Sequence, residues 1–210
     1  MIFVRFLSQV KKHHTLALLS ALRLHKIQAM MNLRQTVEAG ACAAYALANP
    51  NPDDFATTTE LGILDSSQAL AKKRYRWLNQ NFREASDYLR TFKQNINSST
   101  AHANIAYTTN NFRLEENREL VAAPFFDFED SYYVKTDLWM IGSLGLSLLN
   151  LFVGVNRQYP VLTLIPDFQS RCDELIRRDS ALEAEMKATE RFKESERLYR
   201  QSSGRGSTEA

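Results

Sequence analysis

The sequence has few of the residues that interrupt helices or build covalent and metal-bound scaffolds. Its 210 residues include 7 Gly, 5 Pro and 2 Cys. The two cysteines stand apart from each other and from other ligand residues, which excludes a disulfide framework and favours a reduced, cytoplasmic protein. Phosphate-binding glycine loops, zinc-ligand spacings and nucleophile elbows are also missing. We therefore expect neither a metal site nor a cofactor.

Acidic residues are missing from the first 37 positions. The whole chain is nearly balanced, with 26 Lys+Arg against 24 Asp+Glu and a net charge of +2, so only local charge can indicate a partner. This acid-free segment is typical of a basic helix, and it is also similar to a transit peptide or a membrane-surface helix. We assign residues 1–24 to a basic N-terminal helix extension. The cations of the segment are Arg5, Lys11, Lys12, Arg23, Lys26 and Arg34.

The spacing of apolar residues predicts helices along most of the chain. Residues 3–48 contain no proline and one glycine, which predicts one long helix or two helices with a break near His13 and His14. Asp65 predicts the N-cap of a further helix, whose apolar residues recur at steps of three and four as far as Ile96. Helix is predicted to resume near Asp130, and a last amphipathic helix to run over residues 167–200.

These elements predict an all-α fold, an antiparallel helical bundle with a long N-terminal helix and a charged C-terminal helix. The bundle domain should cover residues 25–200. Residues 201–210 are rich in Ser and Gly and predict a disordered tail.

One long apolar run is present. Residues 138–155 carry no formal charge over 18 positions, which is the lower limit for crossing a bilayer. The same pattern is typical of the central helix of a bundle, and the other amphipathic helices need such a partner for their apolar faces. We expect a buried core helix and keep a membrane-associated protein with a span at residues 138–155 as the alternative.

Two groups of polar residues are candidate sites for chemistry. Arg34 and Glu38 lie one helical turn apart beside an apolar stripe, where an ion pair would neutralise both charges. His102 follows a polar run at a predicted helix end, and a histidine there suits either acid–base chemistry or a capping role.

A basic helix is the candidate RNA-binding surface. Its cations alternate with the aromatic residues Tyr75, Trp77 and Tyr88, so phosphate contacts and base stacking are both available. The alternatives are a solvated surface and a surface that pairs with the acidic stretch at residues 115–130. The cations are Lys72, Lys73, Arg74, Arg76, Arg83, Arg90 and Lys93.

The order of these motifs resembles the HEPN superfamily of helical bundles over about residues 25–156. The resemblance rests on LRQTVEAGACAAYAL at residues 33–47, with Arg34 and Glu38, and on YLRTFKQNINSSTAHANI at residues 88–105, with His102. It implies a helical bundle related to metal-independent ribonucleases of toxin–antitoxin and phage-defence systems.

Catalytic members of that superfamily place an Arg before the His, with four to six residues between the two. Here Asn95, Ile96 and Asn97 take those positions, and no cation remains there to stabilise charge on a phosphate. We therefore expect a non-catalytic or degenerate member that binds RNA, a nucleotide, a protein partner or a second copy of itself. If the chain is a metal-independent ribonuclease after all, the resemblance assigns acid–base chemistry to His102, with Arg34 as the cation beside Glu38.

Overall fold

The chain folds as an all-α bundle, which confirms the predicted fold class. The structure is a computed structural model that describes residues 2–58, 60–61, 64–65, 67–99, 113–115, 120–122, 125–127 and 130–205. Within these ranges there are seven α-helices: α1 (Ile2–Leu22), α2 (Lys26–Ala48), α3 (Gln68–Asn81), α4 (Arg83–Ser99), α5 (Ser131–Gln158), α6 (Phe168–Ala188) and α7 (Glu190–Arg205). Two antiparallel ribbons complete the described chain: β1 (Thr57–Thr58) with β2 (Leu64–Asp65), and β3 (Arg113–Glu115) with β4 (Leu120–Ala122).

Helices α1 and α2 form an antiparallel hairpin whose turn lies at residues 23–25. Leu24 adopts a left-handed conformation there, with φ of 56°, and the amide of His25 donates to the carbonyl of Ser20 at 2.9 Å. The predicted break near His13 is wrong, because that residue lies inside α1 and bonds to Asn32 of α2 at 3.1 Å. The turn was not predicted because it uses a leucine where glycine or asparagine is usual.

The start of α2 is capped from a distant part of the chain. His25 stands at the N-cap position but makes no side-chain bond to the helix. The Asp127 carboxylate accepts instead from the backbone amide of Lys26 at 2.7 Å, and the Asp127 amide donates to the carbonyl of Leu24 at 2.9 Å. This segment therefore satisfies one helix-end donor and fixes the turn.

The core lies where α2 packs against α1 and α5. Phe3 meets Phe152 edge to face at 5.8 Å, and the His14 ring donates through Nε2 to the carbonyl of Ile141 at 2.8 Å. These two contacts show that α1 runs antiparallel to α5. Gly40 brings α2 close to α5, since a Cβ at this position would lie 2.5 Å from Leu148 Cδ2.

Helix α5 also carries the long apolar run. It is the one described helix that is long and apolar enough to cross a membrane, and a third of its most apolar window is buried in the bundle. The core helix of a soluble protein meets the same criterion. Its most deeply buried side chains pack against α1 and α2, namely Ile141, Leu144, Leu148 and Val155.

The helix predicted from Asp65 to Ile96 is two helices with a later start. Asp65 lies in β2, and the cap of α3 is Ser67, whose Oγ accepts from the amide of Leu70 at 3.4 Å. Phe82 interrupts the helix, and its ring packs against Trp77 at 5.7 Å. The prediction is wrong on both points, although the apolar stripe itself is confirmed at its buried positions Leu78, Leu89, Phe92 and Ile96.

The predicted last helix is also divided. Thr189 separates α6 from α7, and its Oγ1 accepts from the amide of Phe192 at 3.3 Å. The expected apolar face of α6 is mostly open, because Cys172 is buried while Leu175 and Leu182 remain exposed. Helix α7 continues through residues 201–205, which were predicted to be disordered; residues 206–210 lie outside the described chain.

Candidate functional site

A small network of charged side chains joins α2 to α4. Arg34 Nε lies 3.4 Å from Glu38 Oε1, and Lys93 Nζ lies 2.8 Å from the same oxygen. All three side chains are about one-third exposed, so water screens the charges only in part. The structure therefore forms the Arg34–Glu38 pair that the sequence indicated and adds Lys93, which the sequence had placed on an RNA-binding surface.

Arg74 lies deeper than the other cations. It is 8% exposed, donates through one NH1 hydrogen to the carbonyl of Asp54 at 2.8 Å, and stacks over the Phe55 ring at 5.5 Å. The Asp54 carboxylate is bound elsewhere, by the Tyr45 hydroxyl at 2.8 Å and by Lys73. In the described part of the chain, Arg74 makes no ion pair.

These groups border a cleft of about 480 Å³ between α1, α2, α3 and α4. Its lining combines apolar and aromatic side chains with the charged groups of Arg74, Lys93 and Glu38. The size is in the range of small-molecule sites, and such sites commonly combine apolar walls with a few convergent polar groups. The apolar lining includes Phe6, Phe55, Ala39 and Ala71.

Two titratable side chains beside the cleft are held neutral. Burial, with the nearby Glu38 carboxylate, raises the pKa of Tyr75 to about 12, and its hydroxyl has no hydrogen-bond partner within the described chain. Burial also raises the pKa of the Cys42 thiol above its ordinary value, although Arg74 acts in the opposite direction. A protonated thiol is a weak nucleophile, so Cys42 is a lining group that reacts slowly at neutral pH and not a catalytic nucleophile.

A second groove lies between α3 and α4, on the other side of Tyr75 and Lys93. Its volume is about 420 Å³, and among the residues that the structure describes no acidic side chain lines it. The Oδ1 atom of Asn97 is buried beside it without a described partner. The groove therefore offers several donors and no competing carboxylate in its lining. Its cations are Arg76, Arg90 and Lys93, and its amides are Asn79, Gln94 and Asn97.

The seven cations predicted to bind RNA are divided between these places. Arg74 and Lys93 line the cleft, whereas Arg76, Arg90 and Lys93 line the groove. Lys73 is bound to Asp54, and both Arg83 and Arg90 are bound to Asp87. Lys72 is exposed on α3.

A larger cavity of about 510 Å³ lies between α4 and α5. Its charged lining residues are Arg83 and Glu84, which are both exposed and lie at the start of α4. Tyr88 also lines it, and burial raises the pKa of that hydroxyl. The cavity has no buried charge, so it is a weaker candidate for recognition of a charged ligand.

The histidines do not join these sites as a group. His102, the proposed acid–base residue, lies outside the described residues. His13 lines the cleft and bonds to Asn32, His14 bonds to Ile141, and His25 packs against two phenylalanines. Across the described ranges, no three His, Cys, Asp or Glu side chains lie close enough to hold a metal ion.

Sequence reasoning found the charged residues of the cleft but not its aromatic lining. Phe6 lies in the basic first helix and Phe55 follows a proline-rich loop, and neither position carries a motif. Comparisons with family models, with curated proteins and with solved structures find no match to this chain.

Proposed function

We propose that this protein is a HEPN-like helical bundle that binds RNA without cleaving it, in a defence or toxin–antitoxin setting. The observation that supports this function is the groove between α3 and α4, where Arg76, Arg90 and Lys93 converge with three side-chain amides. Guanidinium groups bind phosphates through paired hydrogen bonds, and amides present both donors and acceptors to base edges.

The ion pairs around the groove leave these cations accessible to phosphate. Arg90 and Asp87 are both about half exposed, and an exposed pair of this kind contributes little stability. A phosphate can therefore replace Asp87 at low cost. Arg76 makes no ion pair with any described residue and needs no exchange at all.

Binding rather than cleavage is proposed because of the residues that precede His102. Asn95, Ile96 and Asn97 supply no cation at the spacing where catalytic HEPN proteins have one. Arg34 is engaged by Glu38, which is itself bound by Lys93. A cation already paired with a carboxylate stabilises developing negative charge on a phosphate less than a free one.

The test is fluorescence anisotropy with a labelled single-stranded RNA over a range of salt concentrations. Arg76→Glu combined with Arg90→Glu should weaken RNA binding at least about tenfold. The slope of the logarithm of the binding constant against the logarithm of salt concentration should also become shallower, by roughly 0.7 for each phosphate that the variant no longer binds. Arg171→Glu is the matched control, because Arg171 is also an exposed helical arginine with an aspartate partner one turn away.

Equal binding by the double variant and by the control would refute the RNA-binding groove. Incubation of the same RNA with the protein tests the absence of cleavage. Strand scission that disappears in His102→Ala would show that the protein is an RNase, and the non-catalytic assignment would then be wrong.

A membrane-associated protein is a second candidate, and a cluster of exposed apolar side chains favours it. At the α1–α2 turn, Leu22 is 58% exposed, Phe125 is 80% exposed and Phe126 is 52% exposed. Fractionation into soluble, alkali-extracted and detergent-extracted pools separates the candidates. Recovery in the soluble pool supports the cytoplasmic bundle, and recovery only with detergent supports a span formed by α5.

A further inference from the structure

Arg74 is a buried cation whose charge is not balanced by an ion pair within the described chain. Arginine is rarely buried without a carboxylate or another anion beside it, because desolvation of the charge is expensive. The described hydrogen bonds of Arg74 include one to a backbone carbonyl, and a guanidinium has five donors. Donors therefore remain for another acceptor at the edge of the cleft.

The surroundings hold the Arg74 guanidinium in a fixed orientation. It stacks on Phe55 at 5.5 Å and is bound at one end by the carbonyl of Asp54. Asp54 is fixed in turn by the Tyr45 hydroxyl at 2.8 Å. A guanidinium whose orientation is already fixed loses less conformational entropy when it binds a planar anion.

The rest of the cleft indicates the chemistry of the ligand. Arg74 and Lys93 are its lining cations and Glu38 its lining carboxylate, already bound by Lys93 and Arg34. The lining therefore has one positive charge in excess. Because Phe6 and Phe55 also line the cleft, next to Arg74, the ligand should also carry an apolar body.

We propose that the cleft between α1, α2, α3 and α4 binds a small molecule with an oxyanion, either a carboxylate or a phosphate, attached to an apolar group. Arg74 holds the oxyanion, and the two phenylalanines hold the apolar group. This site adjoins the proposed RNA groove and shares Tyr75 and Lys93 with it, but Arg74 lines the cleft alone and Arg76 lines the groove alone.

Calorimetric titration with three probes of similar shape tests the proposal. Phenyl phosphate and benzoate supply the two oxyanions, and benzyl alcohol is the neutral control. At least one anion should bind saturably and at least about tenfold more tightly than the alcohol, since a charge-assisted hydrogen bond is absent with the latter. The preferred anion identifies the ligand as a phosphate or a carboxylate.

Arg74→Met should weaken the preferred anion at least about tenfold. Arg171→Met, at an exposed arginine of α6 that lines neither the cleft nor the groove, is the control and should bind the anion as the wild type does. Ala71→Leu is a second variant, which fills the cleft while leaving Arg74 in place, and it should also abolish anion binding. It provides the test if Arg74→Met does not fold. Unchanged RNA binding in the Arg76→Glu, Arg90→Glu variant, together with intact anion binding, would refute the groove alone.

Cys42 gives an independent readout of occupancy in the unmodified protein. It lines the cleft, whereas Cys172 is buried on α6 and serves as an internal reference. The preferred anion should slow alkylation of Cys42 severalfold and leave the slow alkylation of Cys172 unchanged. Unsaturable binding of both anions, or binding that persists in Arg74→Met and Ala71→Leu, would overturn the proposal.

Discussion

Alanine at Gly40 should destabilise the protein because α2 and α5 are too close for a side chain there. The new Cβ would lie 2.5 Å from Leu148 Cδ2 and 3.0 Å from Leu148 Cδ1. Leu148 is only 1% exposed, so it has little room to change rotamer. Overpacking of this kind costs about 1–3 kcal/mol, against a gain of about 1 kcal/mol in helix propensity. We expect a net loss of about 1 kcal/mol in the free energy of unfolding.

Gly142→Ala is a matched control on α5. Its Cβ would meet nothing within 4 Å, and Gly142 is exposed, so this substitution gains the helix propensity without a clash. The two variants should therefore differ by about 1–3 kcal/mol in urea unfolding, with the propensity term cancelled. Unfolding midpoints and slopes for both variants give this difference directly.

A double variant identifies the clash as the cause. Leu148→Ala alone should cost about 2–5 kcal/mol, because it leaves a cavity in the core. In that background, Gly40→Ala should become neutral or stabilising, and the cycle should show a coupling of about 1–3 kcal/mol. Equal stabilisation by Gly40→Ala and Gly142→Ala would refute the contact between α2 and α5. That result is expected if α5 crosses a membrane instead of packing in the bundle.

Two further substitutions test other parts of the fold. Gly145→Ala would place a Cβ 2.9 Å from His14 Nε2, so the ring should move and lose its hydrogen bond to the Ile141 carbonyl. This loss should lower the free energy of unfolding in urea by about 1–2 kcal/mol. Wild-type stability would contradict the described packing of α1 on α5. Hydrogen bonds from Lys73 and Tyr45 lower the pKa of Asp54, so its contribution to stability is present above the ordinary pKa of about 4 and is lost as the pH falls through the lower folded value. Asp54→Asn should therefore be about 1 kcal/mol less stable than wild type at pH 7, and this difference should shrink as the pH falls below about 4. A constant difference across denaturation curves from pH 2 to 7 would refute this role.

Periodicity predicted the helical core well because burial repeats at the helical period. Leu33 and Val37 on α2, and Ile141 and Leu148 on α5, all stand in stripes read from the sequence and are all buried. The breaks were harder to predict. The α1–α2 turn contains neither glycine nor proline to indicate it in the sequence. Leu24 adopts the left-handed conformation there, and the distant Asp127 amide stabilises it by donating to the Leu24 carbonyl.

The candidate sites could be predicted only as a set of charged residues. Arg74 and Arg76 are neighbours on one helix, but two positions turn the side chain by roughly 200°, so one enters the cleft and the other lines the groove. The sequence does not show which side of α3 is covered by α2. That choice depends on tertiary contacts such as the Asp54 carbonyl and the Phe55 ring, which receive Arg74.

The cap on α2 has a consequence for the order in which the chain folds. Asp127, which accepts from the first amide of α2, is 101 residues beyond Lys26. During synthesis, helices α1 to α4 therefore emerge before the residue that completes the start of α2, and the hairpin turn stays incompletely bonded until then. Closure of this long loop is an entropic cost that the late segment must overcome when it docks. The final locking of the α1–α2 hairpin is thus a late, non-local event, like the packing of α1 and α2 on α5.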